Sequence, residues 1–208
     1  MIKIKKIVSG VLAENCYVVY DSESLQAVII DPGEDGGKVI FELVKDKLKP
    51  EMIINTHGHY DHVLSDDQIR SEFNIPLAIH KHELEVLANS FKGASKLFVF
   101  PDTIRVPEIA LEDNQEVKLT FTTFRVMHTP GHTKGSICLL FNDFLITGDT
   151  LFAGTIGRTD LTSGNYEDIL NSLDKIKGLN PSLVIYPGHG SKTTLANELR
   201  HNPYLNNN

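Results

Sequence analysis

Alternating and continuously apolar segments predict the first strands of the chain. Residues Ile2 to Val8 alternate apolar and polar side chains, whereas Asn15 to Tyr20 and Ala27 to Ile30 are mostly apolar. Such runs are typical of β-strands, and the continuous ones of buried strands. Lys38 to Lys47 instead carries apolar residues at helical spacing, which predicts an amphipathic helix.

The rest of the chain continues to alternate between strands and helices. We predict further strands at Met52 to Asn55, Ile75 to Ile79, Val117 to Leu119, Phe124 to Met127, Ser136 to Phe141, Phe144 to Thr147 and from Leu183. Helices are predicted at Asp66 to Phe73, Glu83 to Asn89 and Tyr166 to Lys177. Residues 91 to 116 are the least regular and form either a substrate-side loop or, as we favour, a connection. This order predicts one α/β domain over residues 1–208, with two packed sheets and helices outside.

Composition excludes several classes of protein. The chain has 208 residues, is 41% hydrophobic and carries a net charge of -7. That charge argues against a nucleic-acid partner or an anionic membrane surface. Two cysteines, Cys16 and Cys138, make no disulfide framework, and their apolar neighbours favour buried hydrophobes over reactive thiols. Without an apolar run that could span a bilayer, a cytoplasmic protein is expected.

Four of the apolar runs end in a histidine or aspartate. The run ending at Asn55 leads into Thr56–His62, and the other three lead into His132, Asp149 and His189. Loops just past strand ends are where a rigid sheet presents its chemistry. Imidazole and carboxylate groups from four such loops could converge on one edge of the structure, which indicates a metal site.

The number and spacing of these candidates favour two metal ions. His57 and His59 are two residues apart, so in an extended segment they point the same way and can bind one ion. Seven candidates exceed the needs of one tetrahedral structural zinc, and Asp149 is the best bridging ligand. Imidazole and carboxylate without thiolate suit zinc, iron or manganese. The candidates are His57, His59, Asp61, His62, His132, Asp149 and His189.

Other readings compete residue by residue. Any one of these side chains alone would more often be a buried structural histidine or a capping aspartate, and only the whole set favours a site. Arg158 could pair with Asp160 or bind substrate, and Tyr60 could line the pocket or simply pack. The remaining histidines are expected to be structural at His128 and on the surface at His80, His82 and His201.

The motifs resemble those of the metallo-β-lactamase superfamily, and within it the short, single-domain glyoxalase II-like branch. The segments that carry the resemblance are Thr56–His62, Thr129–Thr133, Gly148–Phe152, Gly157–Asp160 and Pro187–Gly190. The resemblance implies a four-layer αβ/βα sandwich of two mixed β-sheets with the metals at one edge. It assigns His57, His59 and His132 to the first metal. The second metal receives Asp61, His62 and His189, with Asp149 shared between the two.

The resemblance also implies a reaction. We expect hydrolysis of a small-molecule thioester, an S-2-hydroxyacyl thiol such as S-lactoylglutathione, by attack of a metal-bound hydroxide. Two divalent metals, zinc with iron or manganese as alternatives, would serve it. Asp61 would also orient the attacking water, and Arg158 and Tyr60 would contact substrate. Ser191 stands where relatives carry tyrosine and the helical domain of full-length relatives is not expected, so the thiol carrier stays open.

Two other functions compete with thioester hydrolysis. A persulfide dioxygenase with a single iron shares His57, His132, Asp149 and the Gly157–Asp160 segment, although that branch tends to carry alanine where Thr150 stands. A binding module that retains metal without turnover is disfavoured by the complete ligand set. True β-lactamase activity is not expected either, because lactamases of this fold usually carry cysteine or histidine in place of Asp149.

Overall fold

The alternating N-terminal segment forms the edge strand of a six-stranded mixed sheet. The computed structural model describes residues 1–87 and 105–206. The sheet has the order β1-β2-β3-β4-β5-β6, antiparallel from β1 to β3 and parallel from β3 to β6. Its strands are β1 (Ile2–Ser9), β2 (Glu14–Asp21), β3 (Gln26–Ile30), β4 (Lys49–Asn55), β5 (Leu77–His80) and β6 (Ile109–Leu111).

Helices cover one face of this sheet. They are α1 (Gly36–Lys45), α2 (Tyr60–Val63) and α3 (Asp66–Phe73), followed by a 3₁₀ turn at Lys81–Glu83. The apolar face of α1 buries Val39 and Leu43 in a core that also contains Ile29 and Ile53 of the sheet and Ile69 of α3. Burial of such side chains contributes roughly 25 cal/mol per Å² of apolar surface, which is what holds a short helix in place.

A second six-stranded mixed sheet follows. Its order is β14-β13-β10-β9-β8-β7, and β10 and β13 are parallel neighbours. The strands are β7 (Glu116–Lys118), β8 (Thr123–His128), β9 (Ile137–Leu140), β10 (Phe144–Gly148), β13 (Val184–Pro187) and β14 (Thr193–Thr194), with a separate hairpin of β11 (Leu151–Phe152) and β12 (Thr155–Ile156). Because β10 and β13 run the same way, the residues after them emerge at the same end of the sheet.

Two helices pack on the second sheet. Helix α4 spans Tyr166–Lys177 and begins at the N-cap Asn165, whose side chain accepts hydrogen bonds from two backbone amides. Helix α5 spans Leu195–His201. Leu173 of α4 and Leu195 of α5 share a core with Ile185 of the sheet. The described residues form two units, residues 1–111 with 118–122, and residues 112–117 with 123–206.

Most long periodic segments were predicted correctly, and several of the shortest elements were missed. The helices Asp66–Phe73 and Tyr166–Lys177 have the predicted bounds, and both cysteines are buried as expected. Strand β6 lies in the segment 91–116, which was interpreted as irregular. Residues 91–104 of that segment fall outside the described ranges. The predicted helix at Glu83–Asn89 is observed only over residues 84–87 of its described part.

The fold class is confirmed as α/β with two mixed sheets and helices. The predicted division into one domain, 1–208, remains a prediction. Among the helices of residues 1–87 and 105–206, none is long and apolar enough to cross a membrane.

Candidate metal centre

The loop after β4 gathers the ligand candidates of the first unit. Strand β4 ends at Asn55, the chain bends at Thr56 and His57, the backbone of His59 is extended, and α2 begins at Tyr60. The imidazole ring of His57 lies 4.8 Å from that of His59 and 4.2 Å from that of His62, measured between centroids. The Nε2 atom of His62 is 3.7 Å from a carboxylate oxygen of Asp61. The four side chains predicted from this motif are therefore brought together within the first unit.

Asp31 orients two of these histidines, His62 directly and His57 through Thr56. One of its oxygens lies 3.1 Å from Nδ1 of His62 and accepts the Thr56 hydroxyl at 2.6 Å, while the other accepts the Thr56 amide at 2.7 Å. Because that hydroxyl donates to Asp31, its lone pairs are available to the Nδ1–H of His57, 3.1 Å away. A histidine that donates through Nδ1 presents the lone pair of Nε2, which is the arrangement that orients metal-binding imidazoles.

Asp31 was not predicted as a site residue. It follows β3 in Asp31-Pro32-Gly33, which the sequence indicates only as a turn. Its φ angle of 51° lies in the left-handed region, which aspartate tolerates better than most residues. The available signal in the sequence was an aspartate directly after an apolar run, as at Asp149.

Gly33 and Ser65 fasten the same loop to α2. A Cβ atom on Gly33 would lie 2.2 Å from the carbonyl oxygen of Asp61, so a side chain there would displace the metal-binding motif. The Ser65 hydroxyl donates to the Gly33 carbonyl, and the Ser65 amide donates to the carbonyl of Pro32 at 3.1 Å. The loop therefore fixes both ends of the short helix that carries Asp61 and His62.

Two buried glutamates also contact the motif, and neither was predicted. Oε1 of Glu14 lies 3.9 Å from Nδ1 of His62, on the same side of the ring as Asp31. Glu83 is fully buried and accepts a hydrogen bond from the amide of Gly58 at 2.7 Å, between His57 and His59. Nothing in the local sequence distinguishes Glu83 from an ordinary helix residue, since its role arises from tertiary packing.

The second unit gathers the other three candidates around one carboxylate. His132 follows β8, Asp149 follows β10 and His189 follows β13. Oδ2 of Asp149 lies 3.5 Å from Nε2 of His132 and 3.7 Å from Nε2 of His189. Facing two imidazoles with one oxygen is the position expected of a shared ligand.

Backbone groups hold these ligands. Nδ1 of His132 lies 2.8 Å from the carbonyl oxygen of Arg158, so its Nε2 is presented for metal binding. A Cβ atom on Gly157 would lie 1.8 Å from the carbonyl oxygen of Asp149 and 3.2 Å from Nδ1 of His132. The amide of Gly188 donates to the carbonyl of Gly148 at 2.8 Å, which ties the loop of His189 to that of Asp149.

The two residues predicted to contact substrate lie in different environments. Arg158 is exposed and its guanidinium makes two hydrogen bonds to the carboxylate of Asp160, at 2.7 and 2.8 Å, which holds the pKa of Asp160 down at about 2. Tyr60 is partly buried, and that burial, followed by the charge of Asp61, raises the pKa of its hydroxyl.

The remaining histidines divide unevenly. His128 has the structural role expected of it, since its ring lies 3.0 Å from the carbonyl oxygen of Lys134. His82 and His201 are exposed as predicted. The surface prediction for His80 is wrong: this residue ends the interior strand β5, is 2% exposed, and its Nδ1 accepts the amide of His82 at 3.4 Å.

The donor chemistry fits divalent metal ions. Each unit offers imidazoles and carboxylates held by hydrogen-bonding neighbours, which suits zinc, iron or manganese. Thiolates do not contribute, because burial raises the pKa of both Cys16 and Cys138, the latter to about 11. The fold and the donor sets together define a metal-dependent α/β enzyme.

The chain belongs to the metallo-beta-lactamase superfamily, whose family model matches residues 9–189. Two curated relatives are similar over nearly their whole lengths. The probable metallo-hydrolase YqgX of Bacillus subtilis is 34% identical over 98% of both chains. The hydroxyacylglutathione hydrolase GloC of Haemophilus influenzae is 34% identical over 93% of both.

Solved structures show the same fold. The B3 metallo-beta-lactamase BLEG-1 is 36% identical with a TM-score of 0.91, and the match covers 98% of this chain and 99% of BLEG-1. TTHA1623 in a di-iron-bound form is 31% identical with a TM-score of 0.87, covering 97% and 100%. ETHE1 from Myxococcus xanthus is 26% identical with a TM-score of 0.80, covering 97% and 83%.

Proposed function

We propose that this protein is a metal-dependent thioester hydrolase acting on an S-2-hydroxyacyl thiol such as S-lactoylglutathione. The observation that carries the proposal is the donor set itself, in which the imidazoles of His57, His62 and His132 each direct Nδ1 at an oxygen. The similarity to GloC, a hydroxyacylglutathione hydrolase, supports the reaction class.

The proposed site holds two metals. His57, His59 and His132 would bind the first, Asp61, His62 and His189 the second, and Asp149 would be shared. Asp149 supports this division within its own unit, because one of its oxygens faces two imidazoles. The di-iron form of TTHA1623 supports a two-metal site in a relative of the same length. Zinc is the metal we propose, with iron and manganese as the alternatives.

The chain's own groups provide orientation. Bound divalent metals would supply Lewis acidity, which lowers the pKa of water and polarises a carbonyl. Asp61 would hold the attacking water in line, since Ser65 and Gly33 fix the backbone of its helix. A thiol leaving group has a pKa of roughly 8.5, so its expulsion needs no strong general acid. Tyr60, next to Asp61, would contact the substrate.

Arg158 is proposed as a contact for the thiol carrier. Its guanidinium is already paired with Asp160, so an anionic carrier would have to compete for it. Arg158→Gln should raise KM for S-lactoylglutathione and leave kcat and Tm unchanged, because an exposed pair stabilises little. An unchanged KM would remove Arg158 from the binding site.

We propose a small-molecule substrate in the cytoplasm, without nucleic-acid or membrane partners. The net charge of -7 supports the part of this proposal that excludes nucleic acid and anionic membranes, since the chain would be repelled by a polyanion.

The deciding experiment is metal analysis joined to a substrate panel. Protein purified without added metal is analysed for zinc, iron and manganese, and then assayed with S-lactoylglutathione, thioesters of other thiols, and a chromogenic cephalosporin. Release of free thiol that is lost with a chelator and restored by metal is the expected result. Turnover of the cephalosporin alone, which the BLEG-1 likeness makes worth testing, would overturn the thioester proposal.

A persulfide dioxygenase is the second candidate, favoured by the likeness to ETHE1. It requires redox-active iron and consumes oxygen, whereas thioester hydrolysis does neither. Oxygen uptake with glutathione persulfide by iron-loaded protein, without thiol release from any thioester, would select it.

A further inference from the structure

Glu198 of helix α5 is a fully buried carboxylate that the proposed chemistry does not use. One of its oxygens accepts the amide of Gly154 at 2.8 Å, and the other accepts the hydroxyl of Thr193 at 2.7 Å. Burial alone would raise the pKa of this carboxyl, but the hydrogen bonds from Gly154, Thr193 and their neighbours lower it below the ordinary value of 4.5. Glu198 is therefore a charged acceptor that joins α5 to the β11–β12 hairpin.

Asn202, one turn after Glu198, grips the same hairpin. Its amide nitrogen lies 3.1 Å from the carbonyl oxygen of Thr155, 3.4 Å from that of Phe152 and 2.9 Å from the carboxylate of Glu198. Asn202 is fully buried as well. Buried polar groups are retained when their partners are in place and are costly when a partner is lost. The two side chains together hold the hairpin at three backbone positions.

Residues in the β11–β12 hairpin and directly after it contact all three ligand candidates of the second unit. Asp149 precedes it, and Gly157 after it packs against the Asp149 carbonyl and the His132 ring. Arg158 then provides the carbonyl oxygen that faces Nδ1 of His132. Within the hairpin, the ring of Phe152 lies edge-on to that of His189, 6.2 Å between centroids.

We propose that Glu198 and Asn202 are positioning residues for the metal ligands of the second unit. By fixing the β11–β12 hairpin, they set where Gly157, Arg158 and Phe152 meet the ligands. The ligands keep their identity but lose preorganisation when the hairpin is released. This inference rests on the proposed metal-dependent function, and it assigns the C-terminal helix a role in metal retention beyond stability.

The test compares metal affinity in three variants of the full chain. Glu198→Gln keeps the shape but replaces one acceptor oxygen with a donor, and Asn202→Ala removes the amide while leaving Glu198. Thr194→Ala is the control, because Thr194 caps α5 through the amide of Asn197 and makes no hydrogen bond to the hairpin among the described residues. Zinc affinity is measured by competition with a chromogenic chelator at a temperature where circular dichroism shows all three folded.

We expect Glu198→Gln and Asn202→Ala to bind zinc about 10–100-fold more weakly than wild type, as when a group that positions metal ligands is lost. Thr194→Ala should bind zinc about as tightly as wild type. If Thr194→Ala loses as much zinc affinity as Glu198→Gln, the inference is overturned, because the loss of helix stability alone would explain both results. The inference is also overturned if Asn202→Ala, and Glu198→Gln where it folds, bind zinc as tightly as wild type. The proposed function would then still stand. Wild-type protein that binds no metal would overturn both.

Discussion

The two units hold their ligand candidates by different means. In the first unit, four candidates lie in one short segment, and the imidazoles of His57 and His62 rest on the side chains of Thr56 and Asp31. In the second unit, three candidates come from separate loops, and His132 rests on the backbone carbonyl of Arg158. One unit uses side chains as outer support, and the other uses the main chain.

The difference decides how each site can be damaged. A side-chain support is removed by a single substitution that leaves the backbone in place. A backbone support is lost only when the segment that carries it moves, through a clash or through release of the hairpin. The predictions below test this contrast, in order of decreasing expected effect on metal binding.

Asp149→Ala should have the largest effect. Its carboxylate faces two imidazoles, and the substitution removes a negative charge that would balance the positive charge of the metals. Thioester turnover should fall about 10³-fold or more, since loss of one preorganised group at a reacting centre already costs about 10²–10³. Metal content by elemental analysis should fall with it. Asp143→Ala, at an exposed turn of the same unit, is the control, and unchanged turnover in Asp149→Ala would end the catalytic assignment.

Asp31→Asn should weaken the side-chain support of the first unit. The Asp31 carboxylate uses both of its oxygens, one for the Thr56 amide and the other for His62, whereas an asparagine amide has only one acceptor oxygen. We expect zinc affinity to fall about 10–100-fold, as for other outer-sphere partners of metal-binding histidines. Chelator competition measures it. Affinity within about twofold of wild type would show that Asp31 does not orient these rings.

The sequence indicated the ligand candidates of both units, but not most of the groups that support them. His57, His59, Asp61 and His62 share one motif, and each of the other three follows an apolar run, so local patterns were enough to single out these candidates. Asp31 and Glu83 reach the site through strand pairing and packing across the chain. No local pattern encodes those contacts, and the same holds for Arg158, whose backbone carbonyl is independent of residue type.

The fold shows the same limit. Long segments with helical or alternating periodicity were predicted with nearly correct bounds, because many residues contribute to each signal. Strands β11 and β12 have two residues each, and α5 has seven. Elements that short carry little periodicity of their own and depend on tertiary contacts such as those of Glu198 and Asn202.

Gly157→Ala should disturb the backbone support of the second unit. The new Cβ would lie 1.8 Å from the Asp149 carbonyl oxygen, so the segment has to shift. We expect a loss of about 1–3 kcal/mol in stability, as for overpacking, and about tenfold weaker zinc binding. Urea unfolding and chelator competition measure the two.

Gly178→Ala is the matched control for that substitution. Its Cβ would make an ordinary contact at 3.5 Å, and its φ of -75° suits any residue. Equal losses in the two variants would mean that backbone crowding at Asp149 is irrelevant, and the contrast between the units would fail.

Asp66→Asn should have the smallest effect on metal binding, and it is the matched buried control for Asp31→Asn. Asp66 lies in the first unit and accepts a hydrogen bond from Asn55 at 3.3 Å, an acceptor that asparagine keeps. Burial, and then the charge of Asp31, raise the pKa of Asp66 well above its ordinary value of 3.8. The raised pKa favours the neutral carboxyl, which resembles an amide, and zinc affinity should stay within about twofold of wild type.

The pH dependence of stability makes that prediction sharper. Above about pH 4 the unfolded chain releases the Asp66 proton while the folded chain retains it, so the free energy of unfolding of wild type falls as pH rises through this window. Asparagine removes this contribution. In metal-free protein, the variant should gain stability relative to wild type as pH rises, by up to about 1.4 kcal/mol per pH unit. Parallel curves in urea unfolding would mean that Asp66 is ionised in the folded protein, and that a buried charge beside Asp31 is tolerated without a proton.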